Sequence, residues 1–147
     1  MKSFLYVATV EYSKDHPDGV CKKVLNQYRV FSRYTDVYLM AYKGSDVVII
    51  HDGRTERISN AGKRHRKMFL YKTVLELCKS KKFDSVLFRY GYAEPWFNNL
   101  CRRVSKISKI IIEIPSYPYG KEAGRSIVKR LMYFVDVLFR RQLKHYV

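Results

Sequence analysis

The sequence predicts an α/β fold in which helices flank a mostly parallel sheet. Short runs of β-branched and aromatic residues alternate with longer segments whose apolar residues recur at helical spacing, and this alternation is typical of a parallel sheet. The run Ile110 to Ile114 holds four isoleucines in five residues, which suits a strand buried on both faces. A length of 147 residues allows a substantial core, so we expect one domain over 1–147.

Six apolar runs predict strands, and two of them predict a hairpin. Asp52-Gly53 separates the third run from the fourth, and this pair favours a tight hairpin turn. We interpret the hairpin as an insertion at one edge of a Rossmann-like sheet. The predicted strands are Ser3 to Val10, Asp36 to Ala41, Asp46 to Ile50, Arg54 to Ile58, Asp84 to Phe88 and Ser108 to Glu113.

Four segments predict helices, and the last of them is unusual. It is apolar almost all round and basic at both ends, which is more apolar surface than a helix with one covered face needs. It suits an anionic membrane surface, a helix packed on two sides, or simply a core helix with basic ends. The predicted helices are Val20 to Tyr34, Lys63 to Ser80, Pro95 to Val104 and Arg125 to His145.

The charge of the chain indicates an anionic partner. Lysine and arginine number 29 against 13 acids, which gives a formal net charge of +16. Nucleic acid, anionic lipid and a phosphorylated substrate all fit such a charge. The 13 tyrosines among the basic residues suit single-stranded nucleic acid, although no known nucleic-acid-binding motif is present.

The cysteines and the hydropathy indicate a reducing compartment. Cys21, Cys78 and Cys101 lack metal-ligand spacing, and an odd count argues against a disulfide framework. No window approaches the roughly 18 apolar residues of a spanning helix, and the start does not have the pattern of a signal peptide. We therefore expect a cytoplasmic protein with buried thiols.

Two predicted strands carry polar and aromatic residues at their carboxyl ends. Glu113 ends the sixth strand and precedes a stiff loop with Tyr117 and Tyr119, while Arg89 and Tyr90 end the fifth. In open parallel sheets, ligands bind outside these ends. The guanidinium of Arg89 suits a phosphate or a sugar hydroxyl, or alternatively a structural pair with Glu113. The tyrosines have their own structural alternative, which is to cover the edge of the sheet.

Other candidate positions carry weaker signals. Gly19 precedes the first helix, and a glycine before a helix favours phosphate binding, although it is more often only a cap. The cationic run Lys63 to Lys67 opens the second predicted helix, where positive charge opposes the helix dipole. An anion-facing role and a solvated face both explain that run. His51 lies beside the hairpin turn. It is a weak candidate for a ligand, because a lone surface histidine usually has no such role.

Three of these segments together resemble the amino-terminal domain of bacterial glycosyltransferases of the two-domain GT-B architecture. The resemblance favours the retaining, family 4-like (group 1) enzymes of capsule and exopolysaccharide assembly, and it extends over essentially the whole chain. The segments that carry it are Asp18-Gly19-Val20 with Lys22 and Lys23, Phe88-Arg89-Tyr90, and Ile111 to Tyr119 with Glu122.

The resemblance implies the acceptor-side half of an enzyme that moves a sugar from a nucleotide sugar to a glycan or a polyprenyl-linked acceptor. It implies Glu113 as the catalytic residue and requires neither a metal nor another cofactor. A separate donor-binding domain is expected outside this chain, which alone would be nearly inactive. The last segment, Arg125 to Val147, would lie on the anionic inner face of the cell membrane. The implied substrate-binding residues are Gly19, Lys23, Arg89, Tyr90, Tyr117, Tyr119 and Glu122.

The alternative function is a small basic α/β module that binds nucleic acid, which we expect less than the enzyme. A response-regulator or flavodoxin-like domain is weaker still, because neither an acidic cluster nor a hydroxyl-rich phosphate loop is present.

Overall fold

The computed structural model of the protein describes residues 2–61, 65–90, 94–114 and 127–147, except for the side chain at position 129. Strands and helices alternate as the sequence predicts. The elements are β1 (Ser3–Glu11), α1 (Gly19–Phe31), β2 (Asp36–Lys43), β3 (Asp46–His51), β4 (Arg54–Ile58), α2 (Arg66–Lys81), β5 (Ser85–Arg89), α3 (Pro95–Val104), β6 (Lys109–Glu113) and α4 (Ile127–Leu143).

The strands form one sheet in the order β4-β3-β2-β1-β5-β6. β1 pairs in parallel with both β2 and β5, and β5 pairs in parallel with β6. β3 and β4 add an antiparallel hairpin beside β2. The predicted Rossmann-like fold with a hairpin at its edge is therefore confirmed. We call the edge where the parallel strands end the carboxyl edge, and the edge where they begin the amino edge.

Two hydrophobic clusters cover the two faces of the sheet. Successive side chains of a strand point to opposite faces, so Leu5 and Val7 of β1 pack with α2, α3 and α4, whereas Tyr6 and Ala8 pack with α1. All three cysteines are buried free thiols, as predicted. Within the described residues, α1 is the helix that covers its face, and it lies over the β1 and β2 side of the sheet.

Local chemistry explains where several elements begin and end. The Asp18 carboxylate caps α1 by accepting a hydrogen bond from the Cys21 N–H at 2.7 Å. Pro95 starts α3, where its missing N–H costs no helical hydrogen bond. Asp52 and Gly53 both have positive φ, the conformation that a tight hairpin turn between β3 and β4 requires. The predicted hairpin turn is thus confirmed.

The prediction that the isoleucine-rich strand is buried on both faces is wrong. Ile110 lies in the core, but the side chain of Ile111 on the opposite face is 40% exposed. The physical reason is the position of β6 at the end of the sheet, where no described helix covers the α1 face. Its apolar composition therefore does not require two covered faces.

Helix α4 has two apolar sides, as its sequence indicates. Asp136 and Leu143 are buried, and Phe139 joins the core that α2 and α3 also form. On the opposite side, Ile127, Leu131, Phe134 and Leu138 are exposed at spacings of three and four residues. No helix in the described ranges is both long enough and apolar enough to cross a membrane.

Candidate functional site

The candidate site lies at the carboxyl edge, next to the point where the strand order reverses. The chain leaves β1 toward β2 on one side and returns to β5 on the other, and open α/β sheets bind ligands in the crevice at such a point. Arg89 at the end of β5 is directly opposite Glu113 at the end of β6. Both side chains turn toward the α1 face, because both share the register position of Ala8.

Arg89 and Glu113 form an ion pair that two further side chains hold in place. Arg89 Nη1 donates to Glu113 Oε1, and Gln27 Nε2 of α1 donates to the same oxygen at 3.4 Å. The Tyr6 hydroxyl donates to Gln27 Oε1 at 2.7 Å. The Arg89 side chain is 7% exposed and that of Glu113 is 24% exposed. The structural alternative for Arg89, a pair with Glu113, is confirmed.

The second carboxylate oxygen of Glu113 is less well satisfied than the first. The Tyr6 hydroxyl lies 3.4 Å from Glu113 Oε2 but has only one proton to donate. The shorter contact to Gln27 takes that proton, so Oε2 keeps its capacity to accept a hydrogen bond. Burial of the phenol, followed by the charge of Glu113, raises the pKa of Tyr6 to about 12. Tyr6 is therefore a neutral donor at physiological pH.

Gly19 and Lys23 lie beside this network along α1. They line a concavity of about 550 Å³ together with Gln27, which connects the concavity to the Arg89–Glu113 pair. Gly19 needs no special backbone conformation, and a Cβ at this position would meet no atom within 4 Å. The Asp18 carboxylate already occupies the anion position at the helix start, which does not favour phosphate binding there. The remaining lining residues are Lys22, Asn26, Val30 and Phe31.

The Tyr90 side chain lies on the opposite face of the sheet from those of Arg89 and Glu113, although the Tyr90 N–H donates to the Glu113 carbonyl at 3.0 Å. Its ring stacks on Phe97 with centroids 3.7 Å apart, and its hydroxyl lies 3.1 Å from that of Tyr71. Tyr71 in turn donates to Glu94 Oε1 at 2.9 Å. Burial is the main cause that raises the pKa of Tyr90 and of Tyr71. Neighbouring positions on a strand face opposite ways. The side chains of Arg89 and Tyr90 therefore cannot both point into one site.

Two cations of the run at the start of α2, Arg66 and Lys67, are matched by acids. Arg66 lies 3.7 Å from Glu11 and above the Tyr42 ring, and Lys67 donates to Glu94 at 2.8 Å. Lys63 and Arg64 lie outside the described residues, as do the predicted ligand-binding residues Tyr117, Tyr119 and Glu122.

His51 is far from this site along the sheet. It ends β3, which runs antiparallel to β2 and therefore ends at the amino edge. There its Nε2 is 2.6 Å from Asp36 Oδ1 and its ring stacks on Tyr38. Across the described part of the chain, no group of three or more histidine, cysteine or acidic side chains is placed to hold a metal ion.

Sequence reasoning missed two members of the network, Tyr6 and Gln27. A signal for Gln27 exists, because it follows Gly19 and Lys23 at intervals of four residues and so shares their helix face. No such signal exists for Tyr6, whose approach to Glu113 depends on the strand order β1-β5-β6.

Comparison of the chain with family profiles, with curated proteins and with solved structures found no match.

Proposed function

We propose that the chain is the acceptor-side domain of a glycosyltransferase, which moves a sugar from a nucleotide sugar to a glycan or a polyprenyl-linked acceptor. The observation that supports this proposal best is the fixed Arg89–Glu113 pair at the carboxyl edge, beside the concavity of α1. A carboxylate in a crevice at this point of an α/β sheet is well placed to orient a substrate hydroxyl. The donor-binding domain is expected to be a separate part of the enzyme.

Glu113 is proposed to hold the attacking hydroxyl of the acceptor. Arg89 and Gln27 fix Oε1, which leaves Oε2 to accept a hydrogen bond from that hydroxyl. Transfer then forms a bond from the acceptor oxygen to the sugar carbon and breaks the bond from that carbon to the nucleotide phosphate. The hydroxyl proton passes to Glu113 Oε2, and the nucleotide phosphate leaves with the electron pair of the broken bond. Orienting the reacting oxygen in this way lowers the barrier by reducing the entropy lost on the way to the transition state.

The concavity of α1 is proposed to receive the acceptor. Val30 and Phe31 provide an apolar surface for the carbon face of a sugar ring, and Lys23 provides a cation for a phosphate group. A small residue at Gly19 leaves the helix start open on this side. Arg89 acts through Glu113 and is therefore a positioning residue.

Helix α4 is proposed to hold the domain on the cytoplasmic face of the membrane. Its exposed apolar stripe of Ile127, Leu131, Phe134 and Leu138 lies beside the exposed cations Arg130 and Arg141. This combination suits insertion at an anionic lipid surface. A polyprenyl-linked acceptor is confined to that surface, so the enzyme would work where its acceptor is.

The test is binding of the whole chain to nanodiscs that contain phosphatidylglycerol, with and without a polyprenyl-diphosphate-linked sugar. We expect the linked sugar to increase affinity. We expect Glu113→Gln and Lys23→Ala each to reduce that increase in affinity roughly tenfold, as loss of a charge-assisted hydrogen bond predicts. Lys72→Ala, outside the site, is the matched control and should bind as the unaltered chain does.

Two outcomes would contradict the proposal. One is equal binding to loaded and empty nanodiscs. The other is an unchanged gain from the linked sugar in Glu113→Gln at unchanged far-UV circular dichroism. Replacing Leu131 and Phe134 with aspartate tests α4 separately, since it should reduce binding to the empty nanodiscs as well.

A further inference from the structure

The amino edge of the sheet carries a second concentration of charge, opposite the candidate site. The segments that lead into β1, β2, β5 and β6 meet there, because their backbones are hydrogen-bonded in sequence. Asp36 N–H donates to the Lys2 carbonyl, Asp84 N–H to the Ser3 carbonyl, and Lys109 N–H to the Asp84 carbonyl. Six exposed cations lie on these segments, namely Lys2, Arg33, Lys81, Lys82, Lys106 and Lys109.

The acids of this edge do not neutralise those cations. Asp84 accepts from the Ser3 N–H at 2.7 Å, and Asp36 is in contact with His51 at 2.6 Å. Among the ion pairs formed within the described ranges, none joins one of the six cations to an acid. The cations outnumber the acids Asp36, Asp52 and Asp84 among the described residues of this edge, so its net charge is positive.

Helix dipoles account for only part of this charge. Cations are favourable near helix carboxyl ends, and the last turns of α1, α2 and α3 already contain Arg29, Lys79, Arg102 and Arg103 among others. Lys2 precedes a strand and Lys109 begins one, so no helix end explains those two lysines. A binding role explains them together with the rest.

An exposed aromatic ring stands at the same edge. Tyr34 follows Arg33 in the segment before β2 and is 81% exposed, and no ring contact joins it to another aromatic residue of the described ranges. Beside this segment lies a concavity of about 620 Å³ whose lining includes Arg29 and Arg33 as well as Asp36 and Asp52. Exposed rings among cations are the recurring elements of surfaces that bind single-stranded nucleic acids, because every base can stack on such a ring.

We infer that the amino edge binds a single-stranded polynucleotide without base specificity. Four adjacent strands spaced by 4.7–4.9 Å make a ridge of roughly 14 Å, along which the phosphates contact the six cations while a base stacks on Tyr34. A lipid surface fits this edge less well, since the exposed apolar stripe of the molecule lies on α4. This surface is independent of the glycosyltransferase proposal, whose residues lie at the carboxyl edge.

The test is fluorescence anisotropy of a fluorescein-labelled oligothymidylate titrated with the whole chain at several salt concentrations. With four to six phosphates contacted, the slope of log affinity against log salt should be about −3 to −4. Replacing Lys82, Lys106 and Lys109 with glutamine should reduce that slope by about 2. The matched control replaces Lys14, Lys43 and Lys72, which are exposed cations away from the amino edge.

Variants of Tyr34 test the contribution of base stacking independently of charge. Tyr34→Ala should weaken binding about tenfold, the size expected for one stacked base, whereas Tyr34→Phe should leave the affinity unchanged. Because the ring is exposed, neither change should alter folding.

Three results would overturn the inference. The first is an equal loss of affinity in the edge variant and the control variant, which would assign binding to total charge. The second is unchanged binding in Tyr34→Ala. The third is binding of phosphatidylglycerol vesicles through the same lysines while the oligothymidylate is ignored. Polyglutamate should compete poorly, since it offers charge without bases.

Discussion

The two edges of the sheet use charge in opposite ways. At the carboxyl edge, four acids are paired with cations, whereas none of the six cations at the amino edge forms an ion pair with an acid of the described ranges. The described charges are therefore paired differently at the two edges. Fixed pairs hold side chains in one geometry, whereas unmatched cations attract a polyanion without fixing its position. The carboxyl-edge pairs are Glu11–Arg66, Asp46–Arg57, Glu94–Lys67 and Glu113–Arg89.

The largest effect should come from breaking the most buried of these carboxyl-edge pairs. Glu113→Leu leaves the buried Arg89 guanidinium without its carboxylate, and we expect a loss of about 3 kcal/mol in the free energy of unfolding. The double variant Arg89→Met with Glu113→Leu removes both charges, so it should recover most of that loss. Urea unfolding followed by circular dichroism measures both. Equal destabilisation of the single and double variants would show that the pair is not the cause.

A smaller loss of unfolding free energy should appear when high pH ionises Tyr6. Its pKa is raised from 10.0 to about 12, so the unfolded chain loses this proton first as pH rises. Stability from Tyr6 is thus complete below pH 10 and is lost toward pH 12, by about 2 kcal/mol. Tyr6→Phe should flatten the fall in unfolding free energy over this range, and Tyr34→Phe is the matched control. The fall that remains comes from Tyr42, Cys78 and Cys101, whose pKa values are raised to about 12, and from Tyr71 and Tyr90.

The smallest effect should come from screening the amino edge. Its cations repel one another, so raising the salt concentration from about 0.01 M to about 1 M, which shortens the Debye length from about 30 Å to about 3 Å, should raise the melting temperature. The glutamine variant of Lys82, Lys106 and Lys109 should gain less from salt than the unaltered chain. The salt-induced gain in the free energy of unfolding should differ between the two chains by no more than about 1 kcal/mol. Differential scanning calorimetry at the two salt concentrations would measure the melting temperatures. An equal gain in both chains would mean that the repulsion lies elsewhere.

Most elements of the fold could be predicted because their signals are local. The Asp52-Gly53 turn, the Pro95 helix start and the apolar periodicity of α1 each depend on residues close in sequence. Helix ends were less certain, since α1 ends at Phe31 and not at Tyr34. Val20, the predicted start of this helix, lies in its first turn and is half-exposed.

The candidate site could be predicted only in part. Arg89 and Glu113 were found because both follow apolar runs, and the carboxyl ends of parallel strands share one edge. The sequence does not determine whether Arg89 faces a ligand or Glu113, since pairing depends on which strands are neighbours. Tyr6 shows the same limit, because its approach to Glu113 depends on strand order. Tyr90 is different, because alternation along the strand already turns it away from Arg89.

The sequence by itself determined the order of strands and helices, the hairpin turn, the excess of positive charge and the two strand ends that carry Arg89 and Glu113. Only the tertiary structure decided which acids pair with which cations, which face of β6 is uncovered, and that six exposed cations lie together at the amino edge. The physical reason is that periodicity, capping and turn chemistry act between residues a few positions apart. Charge pairing and burial depend instead on strand order and register, which bring together Tyr6, Gln27, Arg89 and Glu113 from four separate elements.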